Sequence, residues 1–203
     1  HAPGALHSRT KLIKTAADME GLKMRAPNKA MAEALGIMGA SPVFMPVPTL
    51  PSALSKGVID VAVMPFEVVN PLKIQQLAPN HTEIKGERGL YTQFFLFTMN
   101  KKAYEKLPAD LKKVIDNNSG ISEARRMGHE MDLAELPGYA VARASNNPFY
   151  TLTPEETASW KRLMQPVTDD WIADMTDDGQ DGASLYQKAV NLITKYEKVV
   201  SGS

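Results

Sequence analysis

The chain has 203 residues, 43% of them hydrophobic, enough for a real core in one large domain or two small ones. Lys+Arg and Asp+Glu number 23 each, so the net charge is zero, the pI is about 7.1, and no global field is available to hold nucleic acid or an anionic membrane. Cysteine is absent, which excludes disulfides, thiolate catalysis and cysteine-ligated zinc, and no apolar run approaches the roughly 20 residues needed to span a bilayer.

Residues 1–10 read as a loop rich in small side chains, without a strand start or a signal peptide before it, as if cut from something longer. Lys11-Leu12-Ile13-Lys14 suggests a short strand, and residues 15–21 a turn of helix ended by Gly21. The next run, residues 21–73, carries the strongest pattern. A strand ends near Arg25. Asn28 sits as the N-cap of a helix whose Met31, Ala34, Leu35 and Met38 recur at helical spacing, and Gly39 stops it. Residues 42–47 predict a short buried strand, residues 51–56 a brief helix closed by Gly57, and residues 58–64 the next apolar strand. That order is β-α-β-α-β. It places Arg25 and Met64 at carboxyl ends of strands, where open α/β sheets present their ligand crevices.

Beyond Met64, a helix over residues 66–74 is interrupted by Pro71, and residues 81–84 are weakly strand-like. Tyr91-Thr92-Gln93-Phe94-Phe95-Leu96-Phe97-Thr98-Met99 is the strongest strand signal in the chain, apolar nearly throughout, and predicts a place in the middle of a sheet. Asn100 caps a short helix. A longer one opens at Leu107-Pro108-Ala109-Asp110, bends at Ser119-Gly120 and stops at Pro137-Gly138, ahead of a small strand over residues 140–142 and an Asn146-Asn147-Pro148 turn. Thr153-Pro154-Glu155-Glu156 is an N-cap signal for a helix reaching about Met175. Asp177-Asp178-Gly179 breaks it, Ser184 starts a last amphipathic helix, and the end at Ser201-Gly202-Ser203 is expected to fray.

No G-x-S-x-G elbow, phosphate-cradling glycine loop or nucleotide fingerprint is present, and the four histidines lack the i, i+4 spacing of a helical metal site. The expectation is no cofactor, no metal and no catalytic residue. Glu130 with Asp132, and Asp169 with Asp170, lie on polar helix faces where acids are solvated. Arg25 is different: it precedes a proline and a helix N-terminus, so its guanidinium and free N–H groups can point at one anion. Spacing alone gives equal weight to a surface arginine in a salt bridge.

Three blocks are recognisable: Asp18-Met19-Glu20-Gly21-Leu22-Lys23-Met24-Arg25-Ala26-Pro27, Met38-Gly39-Ala40-Ser41-Pro42-Val43, and Ala53-Leu54-Ser55-Lys56-Gly57-Val58-Ile59-Asp60. They resemble the solute-binding proteins of tripartite ATP-independent periplasmic (TRAP) transporters, the DctP-like family. Residues 99–111 are similar to a further family block. The resemblance implies an α/β, periplasmic-binding-protein-like type II fold of two lobes around a ligand cleft, with the first lobe incomplete here and a helical C-terminal third. Residues 3–90 would form the second lobe, 91–135 the crossover strand and helices returning to the first, and 136–203 a strand and bracing helices. The residue matching Arg25 holds the ligand's carboxylate in that family.

Two departures from the family pattern bear on the ligand. Val61-Ala62-Val63-Met64 stands where many relatives carry Gly-Gln-Glu-Asn, and Ala5 stands near the place of a second arginine. Both disfavour polyhydroxylated or doubly charged ligands. Met64, Pro65 and Phe66 with Tyr91 suggest a pocket that is apolar beyond the carboxylate clamp, with core packing as the plain alternative for the apolar side chains. His7 is a further candidate donor to a ligand hydroxyl or keto group. The resulting expectation is a bacterial, periplasmic binding protein, monomeric when complete. It captures an aromatic or branched monocarboxylate for TRAP membrane permease subunits and is neither an enzyme nor a nucleic-acid binder. A ligand-sensing domain or an enzyme on the same two-lobed fold is the alternative.

Overall fold

A computed structural model of the chain describes residues 2–86 and 88–201, so Gly202 and Ser203, at the end expected to fray, lie outside the described residues. The chain divides into two compact units, His1–Thr157 and Ala158–Ser203.

The first unit is built on a mixed sheet. Its strands are β1 (Ala5–Ser8), β2 (Lys23–Ala26), β3 (Ser41–Phe44), β4 (Val61–Met64), β5 (Asn80–Glu83) and β6 (Phe149–Thr151), in the spatial order β3-β2-β4-β1-β5-β6. β2 runs parallel to β3 and β4, and β5 parallel to β6, while β1 lies antiparallel between β4 and β5. The β-α-β-α-β run is present as expected. Asn28 accepts from the N–H of Met31 at 2.9 Å to start α1 (Lys29–Ile37), and Gly39 and Gly57 end α1 and α2 (Leu50–Ser55) at positive φ.

Pairing defines one face of the sheet. Val43, Arg25, Ala62 and Met64, Ala5 and His7, His81 and Phe149 stand side by side across it. α2, the turn after β4 and α3 (Ile74–Leu77) contribute to the core on this face, around Met64, Phe66, Leu50, Leu54 and Ile74. Opposite faces alternate along a strand, so Met24 and Ala26 face the other way, and α1 packs against β2 and β3.

Helices dominate the rest: α4 (Lys101–Glu105), α5 (Ala109–Asn117), α6 (Ile121–Ala144), α7 (Pro154–Asp177) and α8 (Gly182–Ser201). Asn100 caps α4, and Thr153 and Glu156 exchange side-chain to backbone bonds at the start of α7 as the sequence predicts. In the second unit α7 and α8 meet where a Cβ on Gly182 would lie 2.3 Å from the carbonyl oxygen of Ile172. Among the described residues no helix is long and apolar enough to cross a membrane.

Several expectations are corrected. Within the stretch expected to be loop, Ala5–Ser8 form β1, a central strand buried at all four residues, and a strand covered on both faces shows no alternation to read. Residues 11–14 form no strand. The strand expected to be buried at residues 42–47 is an edge strand, β3, bonded to β2 alone, a position that tolerates Pro42. Residues 91–99 form no strand, and Phe94 is 79% exposed and Phe97 fully so. An apolar segment becomes a strand only where a neighbour extends a ladder along it, and among the described residues the sheet order includes no strand from this segment. Pro137-Gly138 does not stop a helix, and residues 140–142 are not a strand; α6 runs through both. Its passage is explained by packing: a Cβ at Gly138 would lie 1.9 Å from the Phe66 carbonyl oxygen, so the glycine lets the helix close onto that backbone.

Candidate functional site

Arg25 is the third residue of β2 and is only 6% exposed, unusual for an arginine. Its Nε donates to the carbonyl of Met45 at 3.2 Å and Nη1 to the carbonyl of Val63 at 2.8 Å. Both partners are neutral. Among the described residues the guanidinium makes no ion pair and no further hydrogen bond, which leaves Nη2 unused. Burial pulls its pKa down, opposed by the neighbouring Tyr91, but an arginine begins so high that it stays charged. The result is a desolvated positive charge held in place by carbonyl dipoles and left without a counter-ion from the described chain. Arg25 is thus not a surface arginine, and no salt bridge to it is present among the described residues.

Tyr91 joins it from a distant part of the chain. Its hydroxyl donates to the same Val63 carbonyl at 3.4 Å, and burial pushes the phenol up to about 12, so it remains a neutral donor. Gly4 seats it: the Gly4 N–H donates to the Tyr91 carbonyl at 3.0 Å, and a Cβ at Gly4 would lie 1.9 Å from the ring. Asn28, beyond Pro27, bonds Gln93 two residues further along at 3.3 Å. The carboxyl ends of β2 and β4 and the start of β1 thus gather Arg25, Tyr91 and the Met64-Pro65 corner.

Met64, Phe66 and His7 take core positions, each fully buried. Met64 packs in the core cluster. Phe66 stacks on Tyr139 at 3.9 Å and meets His7 edge-on at 4.8 Å. His7 is in β1 rather than a loop. Its Nε2–H donates to the Met64 carbonyl at 3.0 Å, and its Nδ1 lies 2.8 Å from Nδ1 of His81, whose other ring nitrogen is bonded to Asn147 at 3.0 Å. Burial, reinforced by His81, lowers His7 to about 3, so it is neutral. A neutral ring that donates through Nε2 must accept at Nδ1, so His81 donates across the pair through Nδ1, and its Nε2 then accepts from the Asn147 side-chain amide, turned to present its NH2. These side chains form the floor beneath the Met64-Pro65 corner and have no exposed surface of their own.

Sequence reasoning missed Glu135 of α6. Its Oε2 accepts from the Phe66 N–H at 3.1 Å and its Oε1 from the Glu67 N–H at 2.7 Å, capping the one-turn helix Phe66–Val68 that follows Pro65. Nothing in the helical pattern distinguishes this acid from Glu130 or Asp132. Among the described residues no cluster of three or more His, Asp or Glu is arranged to hold a metal ion.

A buried arginine at the carboxyl ends of parallel strands agrees with what comparison with known proteins finds. The family model for bacterial extracellular solute-binding protein, family 7 (DctP), matches residues 4–174. The chain belongs to this family. The chain is similar to the C4-dicarboxylate-binding periplasmic protein DctP of Rhodobacter capsulatus, 27% identical over 154 residues, which are 75% of this chain and 45% of that protein.

Similarity to solved TRAP solute-binding protein structures is closer. One is a marine metagenome TRAP solute binding protein specific for aromatic acid ligands, in complex with 3-hydroxybenzoate. It has a TM-score of 0.92 at 44% identity over 97% of this chain and 61% of that one. Another is a TRAP solute binding protein from Rhodoferax ferrireducens with copurified benzoate, with a TM-score of 0.94 at 42% identity over 98% and 62%. The α/β periplasmic-binding-protein fold is therefore that of the DctP family, and the chain spans less than two thirds of these relatives.

Proposed function

We propose that this chain carries the carboxylate-holding part of an extracytoplasmic solute-binding protein, periplasmic in its bacterium. It captures an aromatic or branched monocarboxylate for the membrane permease subunits of a TRAP transporter. The observation that carries the reading is Arg25: among the described residues, a buried cation with only carbonyl partners and an unused Nη2. A carboxylate supplies the missing negative charge, and a charge-assisted bond of this kind contributes about 1.5–3 kcal/mol. The Tyr91 hydroxyl adds a second donor beside it.

Apolar surroundings then select the body of the ligand. Removing about 150 Å² of aromatic surface from water contributes roughly 4 kcal/mol. A second ligand carboxylate would instead lose its hydration without a matching cation, since Ala5, 3% exposed and opposite Met64, stands near the place of the family's second arginine. Relatives at 42% and 44% identity hold benzoate and 3-hydroxybenzoate, in keeping with this choice. Met64, Pro65, Phe66 and His7 act from behind, by shaping the corner against which the ligand rests.

In this reading residues 3–90 form the second lobe, residues 91–135 cross back towards the first, and residues 136–203 brace both. The lobes close because the ligand touches each, and closure shifts the population only by the ligand's greater affinity for the closed form. The protein works as a monomer and performs no catalytic step. Calorimetry of the full-length protein with benzoate, 3-hydroxybenzoate and succinate tests it. The expected result is tight binding of the two aromatic acids and weak binding of succinate; preference for succinate would overturn it.

A further inference from the structure

The turn after β4 is held from outside its own sequence. The first N–H groups of a helical turn have no partner within it, and here those of Phe66 and Glu67 are both taken by one carboxylate, Glu135, from 68 and 69 residues away. Around that contact α6 is fitted closely to the turn. Gly138 lies against the Phe66 carbonyl, Tyr139 stacks on the Phe66 ring, and Ala142 is buried in the same core. Upstream of the turn is Pro65, with no N–H to anchor it, then Met64, then Val63, whose carbonyl receives both Arg25 and Tyr91.

We infer that Glu135 is a positioning residue of the ligand site: its carboxylate fixes the turn after Met64-Pro65, and with it the Val63 carbonyl that orients Arg25 and Tyr91. This rests on the carboxylate-binding reading above. Glu135 is only 8% exposed. Burial raises it to about 6 against the opposing pull of the two N–H groups, and Glu67 and Asp132 add like charge. The groups facing it are Glu67 from the turn, Asp132 and Tyr139 from α6, and Tyr91.

Between an ordinary value of 4.5 and about 6 the folded state keeps a proton that the unfolded chain has lost. The stability that Glu135 contributes is therefore full below about 4.5, falls as pH rises towards about 6, and is lost above it. An ionised acid kept here at neutral pH lowers stability, as groups serving a site commonly do. Protonation removes the charge and makes one oxygen an O–H group, a poorer acceptor than a carboxylate oxygen, so the two bonds that hold the turn are weakened.

The test uses full-length protein, its Glu135→Gln variant, and benzoate as probe. In the wild type the amide proton resonances of Phe66 and Glu67 are expected to titrate with a midpoint near 6, and benzoate affinity to fall over the same range as pH is lowered. Glu135→Gln is expected to abolish both transitions and to bind about tenfold more weakly at neutral pH, with a melting temperature no lower than wild type. Should that variant fail to fold, wild-type affinity that stays flat from neutral pH to about pH 5 overturns the inference. Normal wild-type binding with an indistinguishable Glu135→Gln variant overturns the positioning role alone. Failure of the wild type to bind benzoate overturns it together with the reading on which it rests.

Discussion

Arg25 and Tyr91 meet at one atom. The guanidinium Nη1 donates to the carbonyl oxygen of Val63 at 2.8 Å, and the phenol, 28 residues beyond Val63 in the chain, donates to it at 3.4 Å. The first bond is short and well formed. The second is long for an O–H donor, so the hydroxyl gives up little by turning to an incoming carboxylate. Tyr91→Phe is therefore expected to weaken benzoate binding five- to tenfold, about 1 kcal/mol, while leaving the unfolding transition unchanged. Calorimetry and thermal unfolding on the same samples check this.

Met64 tests whether the apolar corner acts by touching the ligand or by filling the core. It is fully buried among Phe66, Leu50 and Ile74. Asparagine there places an amide without partners in an apolar cluster and removes packing volume, at a cost of about 2–4 kcal/mol. Met64→Asn is expected to lower the denaturation midpoint strongly without creating a preference for more polar acids. A stable variant with a shifted ligand profile would show that Met64 faces the ligand.

The buried histidine pair gives a pH signature distinct from that of Glu135. Burial lowers both His7, to about 3, and His81. Because the folded values lie below the ordinary 6.5, the unfolded chain takes up protons first as pH falls. The stability due to the pair is complete above pH 6.5 and is lost towards pH 3, a few kcal/mol in all. Urea unfolding at a series of pH values should show this decline, and His7→Gln should flatten it while lowering stability at neutral pH by about 1–3 kcal/mol.

What could be read from the residues follows from the range of the interactions involved. The run from Gly21 to Met64 was legible because its signals are local: Asn28 caps its own helix, Gly39 and Gly57 end theirs, and apolar spacing marks α1. Arg25 stood out for the same reason, placed between a strand and a proline. The errors lie where structure depends on distant partners. β1 is a strand because β4 and β5 flank it, not because Ala5-Leu6-His7-Ser8 has strong propensity. Residues 91–99 have that propensity and, among the described residues, no flanking strand. α6 passes through Pro137-Gly138 because Phe66 waits on its other side. Glu135 reaches the N–H groups of Phe66 and Glu67, and Tyr91 the carbonyl of Val63, from distant parts of the chain, and no spacing in the sequence announces either.

The central claim is that the Arg25 charge is completed by the carboxylate of a ligand. It is tested most directly by calorimetric titration of wild type and Arg25→Lys with benzoate and with its neutral amide, benzamide. Lysine keeps the charge but loses the planar fork and cannot serve both carbonyls and a ligand at once. Wild type is expected to bind benzoate at least about a hundredfold more tightly than benzamide, with most of that difference lost in Arg25→Lys. Equal affinity of the wild type for benzoate and benzamide, or undiminished benzoate binding by Arg25→Lys, would contradict the account.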